Sequence, residues 1–167
     1  MNDQNVVERI EVSRAIAADP AAIFAVLRDP SGHVAIDASG MLMATTGSAA
    51  SAVGDTFVVH MDRDALRDVK LDEYDVTVTF VTYEQDREIA WSIGSPDGRQ
   101  FGHIYGYRLE AIPDGTMVTQ YYDWSGVSQK LKPRFPIIPE PALRATLGIL
   151  ARTVAPGAKR PGAGTPS

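Results

Sequence analysis

The chain has 167 residues, a formal net charge of −5 and no cysteine. Its length, together with 44% hydrophobic and 22% charged residues, predicts one globular domain with an ordinary core. The lack of cysteine excludes disulfide bonds, thiolate catalysis and cysteine metal ligands, and the acidic balance argues against a broad nucleic-acid-binding surface.

The hydropathy pattern predicts a cytoplasmic protein without an integral membrane segment. Residues 1–12 carry early acidic side chains and lack the apolar stretch of a signal peptide. No apolar run in the sequence approaches the roughly 20 residues that a membrane-spanning helix needs.

The start of the chain predicts a strand followed by two short helices. Residues 7–16 have β character, and Asp19-Pro20 is typical of an N-cap residue followed by the first helical position. Asp29-Pro30 ends this helix, because the residue before proline disfavours the α region. A second short helix is expected over residues 30–38.

The middle of the chain is rich in strand-forming residues. β-Branched and aromatic residues are concentrated there, and glycine, proline and aspartate mark the turns. Pro113-Asp114-Gly115 predicts a hairpin, residues 62–71 predict a charged connection, and strands joined by short turns are expected to be antiparallel. The predicted strands cover residues 41–45, 56–61, 74–83, 88–94, 101–111 and 116–124.

A long amphipathic helix is predicted over residues 140–154. Leu143, Leu147, Leu150 and Val154 share one face of it. The inner face of the sheet is the large surface available to bury this stripe. We therefore expect an α+β fold in which a bent antiparallel sheet encloses the helix and leaves a cavity. The expected domain covers residues 6–155, with disordered termini at residues 1–5 and 156–167.

Three segments resemble one known family. They are SRAIAADPAAIFAVLRDPSGHVAIDASG at residues 13–40, IAW at residues 89–91 and YGYRLEAIPDGTMVTQYYDWSG at residues 105–126. They are similar to the polyketide cyclase/dehydrase and lipid-transport family (SRPBCC) of the START/Bet v 1-like superfamily. The similarity covers residues 7–154.

This resemblance implies a helix-grip fold with two short helices after strand 1. A curved antiparallel sheet of about six to seven strands would wrap around the long C-terminal helix. The resemblance also implies a cavity for an apolar ligand. It implies no catalytic residue, because the superfamily has no common catalytic set. Ala38 stands where the family's Gly-Ser-Gly motif has its first glycine.

Alternation along residues 101–111 predicts polar groups in the cavity wall. Phe101, His103, Tyr105, Tyr107 and Leu109 share the more apolar face, which we place inward. The imidazole and the phenols have three possible roles. They bond a ligand carbonyl or hydroxyl, they act as acid and base, or they are core residues whose polar ends are paired.

The neighbouring strands add further candidate ligand contacts. In the last strand, the even-numbered residues from Val118 to Trp124 are predicted to face inward, and Tyr121 with its odd-numbered neighbours outward. Trp91 serves either core packing or stacking on a flat ligand. The predicted ligand-binding set is Trp91, Phe101, His103, Tyr105, Tyr107, Gln120, Tyr122, Trp124, Leu143 and Leu147.

The other two histidines have separate predictions. His33 and Asp37 are four residues apart and are expected to share one side of the second helix. They form either a general base held by a carboxylate, near one cavity mouth, or a surface ion pair. His60 is predicted to face solvent. The three histidines are far apart in the sequence, so no metal site and no cofactor are predicted.

A basic run lies between the last strand and the last helix. Lys130, Lys132 and Arg134 form either a lid that meets an acidic head group or a solvated loop. Ile137 and Ile138 follow them and are predicted to cover the opening of the cavity.

Three functions are consistent with these patterns. The first is a monomeric or homodimeric protein that binds a hydrophobic or aromatic small molecule, lipid-like or polyketide-like, in the cavity. The second is a polyketide cyclase or dehydratase that uses His103 or Tyr105, or the His33/Asp37 pair, as acid and base. The third is a non-catalytic regulatory module in which side chains fill the cavity. The cavity volume separates the third function from the other two.

Overall fold

A computed structural model describes residues 7–64, 66 and 72–162 of the chain. These residues form seven strands, three α-helices and one 3-10 turn at Lys132–Arg134. The elements are β1 (Arg9–Ile16), α1 (Pro20–Arg28), α2 (Pro30–Ile36), β2 (Leu42–Thr46), β3 (Thr56–Asp62), β4 (Glu73–Glu84), β5 (Glu88–Gly94), β6 (Gln100–Ile112), β7 (Gly115–Asp123) and α3 (Glu140–Val154).

Some predictions fall partly outside this description. Residues 1–5 and 163–167 of the predicted disordered termini lie outside the described residues, as do residues 65 and 67–71 of the predicted connection. Within the described part of the chain, no helix is both long enough and apolar enough to cross a membrane.

The strands form one antiparallel sheet in the order β1-β7-β6-β5-β4-β3-β2. From β2 to β7 each strand pairs with the next in sequence, and β1 pairs with β7. Short turns join the strands from β4 to β7, as predicted, whereas longer connections join β2 to β3 and β3 to β4. Asp114 takes a positive φ of 65° in the two-residue loop of the β6–β7 hairpin, a conformation that aspartate tolerates.

The two short helices begin where the proline signals predict. Pro20 and Pro30 are first helical residues, and the Asp29 carboxylate accepts a 2.9 Å hydrogen bond from the Ser31 amide. Gly32 lies against the backbone of Val26, where a Cβ atom would clash with the Val26 carbonyl, so glycine permits the close approach of α1 and α2.

Helix α2 ends at Ile36, two residues earlier than predicted. Asp37 leaves the helix and its carboxylate accepts hydrogen bonds from the amides of Ser39, Gly40 and Leu42. This local bonding offers the backbone an alternative to a further helical turn.

Helix α3 covers the inner face of the sheet, as predicted. Leu143, Leu147 and Leu150 are fully buried, while Val154 at the end of the stripe is only half-buried. Each buried leucine contributes about 1.5–3 kcal/mol of apolar burial relative to an exposed one. Helix α1 contacts α3, β5 and β6, and α2 contacts α3 and β2, so all three helices pack on one side of the sheet.

The outer face of β7 differs from its prediction at one residue. Tyr121 faces outward but is only 6% exposed. The guanidinium groups of Arg9 and Arg108 lie 4.4 and 5.2 Å from the centre of its ring, and its hydroxyl donates a 2.7 Å hydrogen bond to Glu88. Charged neighbours on adjacent strands therefore bury a tyrosine that alternation alone predicts to be solvent-exposed.

Candidate functional site

A cavity of about 120 Å³ lies between the sheet and α3. Most of its wall is apolar, and half-buried residues at the α2–β2 corner mark the place where it meets solvent. The lining residues come from α2, the α2–β2 corner, β2 to β7, the loop before α3, and α3 itself. They are His33, Ile36, Asp37, Ser39, Met41, Leu42, Val59, Met61, Val76, Val78, Trp91, Ile93, Tyr105, Tyr107, Gln120, Ile138, Leu143 and Thr146.

One wall of the cavity is aromatic. Trp91 on β5 is 7% exposed, and its ring stacks on that of Tyr107 on β6, with 5.7 Å between the ring centres. The imidazole of His33 lies 4.3 Å from the Trp91 ring. Flat rings of this kind present a rigid apolar surface on which another ring can stack.

His33 is a buried, neutral histidine whose side chain connects α2 to α1. Its Nε2 lies 2.7 Å from the carbonyl oxygen of Leu27, which can only accept, so Nε2 carries the proton. Leu27 belongs to the last turn of α1, where the helix leaves carbonyl groups without internal partners. Burial lowers the pKa of His33 from 6.5 to about 4, against smaller opposing effects of the Leu27 hydrogen bond and the Asp29 charge.

The prediction that His33 and Asp37 bond each other is wrong. The His33 ring is held by the Leu27 carbonyl, and both Asp37 carboxylate oxygens accept hydrogen bonds from residues 39–42. The two side chains line the same cavity without bonding each other. Asp37 is therefore a turn residue that brings negative charge to the cavity mouth.

The predicted candidate His103 lies next to the cavity in a second aromatic cluster. Its Nδ1 is 2.8 Å from the hydroxyl of Tyr122, and the ring of Tyr122 stacks on Tyr105 with 4.1 Å between centres. Phe135 covers His103 edge-on. Burial, and then the charge of Arg63, lower the pKa of His103 to about 4. Burial raises the pKa of Tyr122 to about 12.

The predicted inward face of β6 is confirmed, but only part of it reaches the cavity. Of the predicted ligand-binding set, Trp91, Tyr105, Tyr107, Gln120 and Leu143 line it. The rest of that set is placed outside the lining, in the core or half-buried beside it: Phe101, His103, Tyr122, Trp124 and Leu147.

The opposite wall consists of residues that were not among the predicted contacts. Val59 and Met61 on β3 and Val76 and Val78 on β4 close the cavity from that side. Alternation in these strands was the available signal, since it predicts their inward faces. It does not indicate which inward residues α3 leaves uncovered.

The loop before α3 supplies part of the wall. Of the two isoleucines predicted to cover the opening, Ile138 is among the lining residues and Ile137 is not. Within the predicted basic run, Lys132 forms a 2.8 Å ion pair with Glu8, next to the start of β1. This contact holds the loop against the sheet. The ammonium group of Lys132 is therefore already paired with a carboxylate of the same chain.

His60 lies on the outer face of the sheet and is half-exposed, in agreement with its prediction. Its ring bonds Thr46 on β2 at 2.8 Å and Asp75 on β4 at 2.7 Å. Among the described residues, no group of three or more histidine, aspartate or glutamate side chains is arranged to hold a metal ion.

A curved antiparallel sheet that encloses a C-terminal helix and a cavity defines the Bet v 1-like helix-grip class of proteins. Residues 8–155 match the family described as polyketide cyclase / dehydrase and lipid transport. The chain belongs to this family. A search of curated proteins finds no match to the sequence.

Solved structures show the same fold at low sequence identity. A protein from Chromobacterium violaceum has a TM-score of 0.62 at 14% identity, over 88% of this chain and 96% of its own. The major latex-like protein 151 of Panax ginseng has a TM-score of 0.61 at 10% identity, over 89% and 97%. An AHSA1-like protein from Aeromonas hydrophila has a TM-score of 0.56 at 19% identity, over 87% and 91%.

Proposed function

We propose that the protein binds a hydrophobic or aromatic small molecule in the cavity between the sheet and α3. The observation that carries this proposal is the cavity itself, which remains open although large aromatic side chains surround it. A volume of about 120 Å³ corresponds to one small ring, since an apolar protein cavity of about 150 Å³ binds benzene. The open space argues against a regulatory module with a filled interior.

Catalysis as a polyketide cyclase or dehydratase is the weaker candidate. General acid–base catalysis is most effective when the pKa of the group is near the working pH. The pKa values of His33 and His103 are lowered to about 4, and burial raises those of Tyr105 and Tyr107 above their ordinary values. These four groups are therefore neutral near pH 7 and poorly matched to proton transfer.

Toluene binding tests the proposal, because toluene is apolar and contains one ring. Two-dimensional NMR of the 15N-labelled protein would follow the indole N–H of Trp91 during a titration. Phenylalanine in place of Val59 adds a ring inside the cavity and is expected to abolish binding. The same substitution at Val58, on the outer side of β3, is the matched control.

The result that contradicts the proposal is equally direct. If the wild-type protein gives no saturable shifts with toluene, or if Val59→Phe binds as well as Val58→Phe, the cavity is not the binding site.

We also propose that the protein is a monomer or homodimer in the cytoplasm, and that residues 6–155 form its folded unit. Light scattering of the purified protein tests the oligomeric state, and the same measurement on a chain cut to residues 6–155 tests whether these residues form a compact unit.

A further inference from the structure

We propose that the ligand is a neutral aromatic molecule of one ring that carries a hydroxyl group, and that Gln120 and Tyr107 recognise this hydroxyl. This inference rests on the function proposed above. It begins with Gln120, which lies at the centre of β7 between β1 and β6 and is only 3% exposed. Its side chain lines the cavity.

The amide oxygen of Gln120 is an unpaired polar atom in an apolar setting. This atom, Oε1, is buried and has no hydrogen-bond partner among the described residues. A buried polar group without a partner costs about 1–3 kcal/mol, so natural proteins rarely keep one without a reason. The neighbours on the same strand face, Val118 and Tyr122, are fully buried. Folding alone therefore favours an apolar residue at position 120.

Tyr107 supplies a matching donor. It is the direct cross-strand partner of Gln120, and both side chains line the cavity. Burial, and then the negative charge of Asp37, raise the pKa of Tyr107, so its hydroxyl keeps its proton near pH 7. No partner of this hydroxyl is seen in the described part of the chain. The pair therefore offers an acceptor on Gln120 and a donor on Tyr107 from directly paired positions of two adjacent strands in the wall.

A hydroxyl is the smallest ligand group that satisfies both residues. It donates its hydrogen to the oxygen of Gln120 and accepts a hydrogen bond from Tyr107 through its own oxygen. A ketone accepts only, and would leave the Gln120 oxygen unpaired.

The charge and shape of the cavity define the rest of the molecule. Among the described residues of the lining there is no lysine or arginine, and their one carboxylate, on Asp37, disfavours an anion. The carboxylate oxygens are already bonded to the amides of the α2–β2 corner, so they are not available as primary partners for a cation. The stacked rings of Trp91 and Tyr107 provide a flat apolar surface. Together these features favour a neutral phenol.

Phenol and toluene separate this inference from the function on which it rests. The two probes have nearly the same shape and differ by a hydroxyl in place of a methyl group. Dissociation constants for both would be measured by 15N NMR titration of three proteins. These are the wild type, Gln120→Met, and the control Gln100→Met, which makes the same substitution at an exposed position of β6.

Methionine at position 120 keeps the side-chain length but removes the amide. We expect the affinity for phenol relative to toluene to fall about tenfold in Gln120→Met, as for the loss of one buried hydrogen bond, and to be unchanged in Gln100→Met. Toluene binding should be retained or improved. Tyr107→Phe is the second variant, and it keeps the inference testable if Gln120→Met does not fold. It should also lower the affinity for phenol relative to toluene.

Two other results would overturn the inference. If toluene binds but the ratio is the same in the wild type, Gln120→Met and Tyr107→Phe, the polar pair does not recognise a hydroxyl, while the proposed function stands. If neither probe binds the wild-type protein, the inference fails together with the function on which it rests.

Discussion

The burial of His33 predicts that acid destabilises this fold through one identified side chain. The pKa of His33 is about 4 in the folded protein, against 6.5 for an ordinary histidine. The unfolded chain therefore binds the proton more readily than the folded one. This contribution to stability is fully present above pH 6.5 and is lost as the pH falls towards 4.

The size of the effect follows from the two pKa values. Linkage gives a loss of about 2 kcal/mol at pH 5 and about 3 kcal/mol at pH 4 for this group. His33→Phe keeps a ring among Phe57, Phe80 and Trp91 but removes the donor to the Leu27 carbonyl. The variant should be about 1–3 kcal/mol less stable than the wild type at pH 7, because a buried carbonyl loses its partner.

Urea unfolding at pH 7, 6 and 5, followed by circular dichroism, measures both effects. The stability difference between the wild type and His33→Phe should shrink by about 2 kcal/mol between pH 7 and pH 5. Titration of His103 affects both proteins alike and cancels in this comparison. Added salt should leave the change intact, since burial rather than surface charge is its cause. A difference that stays constant with pH would refute the assignment of His33 as a buried neutral group.

Three further substitutions have defined outcomes. Leu147→Ala removes a side chain that is 1% exposed and lies outside the cavity lining, so it should cost about 2–5 kcal/mol in urea unfolding while the protein still binds toluene; a cost below about 1 kcal/mol would contradict this packing. Gly106→Ala places a methyl group where the Tyr121 ring lies and should cost about 1–3 kcal/mol. Most of that cost should disappear when Tyr121 is also replaced by alanine, and additive costs in this double-mutant cycle would exclude the clash. Gln120→Met should raise the thermal midpoint by about 2–4 °C in calorimetry, because it removes an unpaired buried polar group; a lower midpoint would show that the amide is paired in the unliganded protein.

The helices and strands were largely predictable because their signals are local. Asp19-Pro20 and Asp29-Pro30 start the two short helices at the predicted residues, and alternation in β6 identifies its inward face. The end of α2 was not predictable in the same way. It depends on the Asp37 carboxylate bonding backbone amides as far away as Leu42, which no helical period encodes.

The candidate site was only partly predictable, because its residues are selected by tertiary packing. Tyr105 and Tyr107 line the cavity, whereas His103, on the same strand face, is covered by Phe135 from the loop before α3. The spacing of His33 and Asp37 favours a pair, yet the Leu27 carbonyl takes the imidazole instead. Alternation identifies the side of the sheet on which a residue lies, and the covering elements decide whether it reaches open space.

The order of the strands affects how the cavity between the sheet and α3 can widen. β1 and β2 follow each other in the sequence but lie at opposite edges of the sheet, and α1 and α2 make the link between them. A small change in the distance between these edges breaks no rung of the sheet. It is resisted by the packing of α1 and α2 against each other and against α3, which also contacts β1. We therefore expect an occupant wider than a single ring to be accommodated by movement of the helices, while the hydrogen bonds between the strands stay intact.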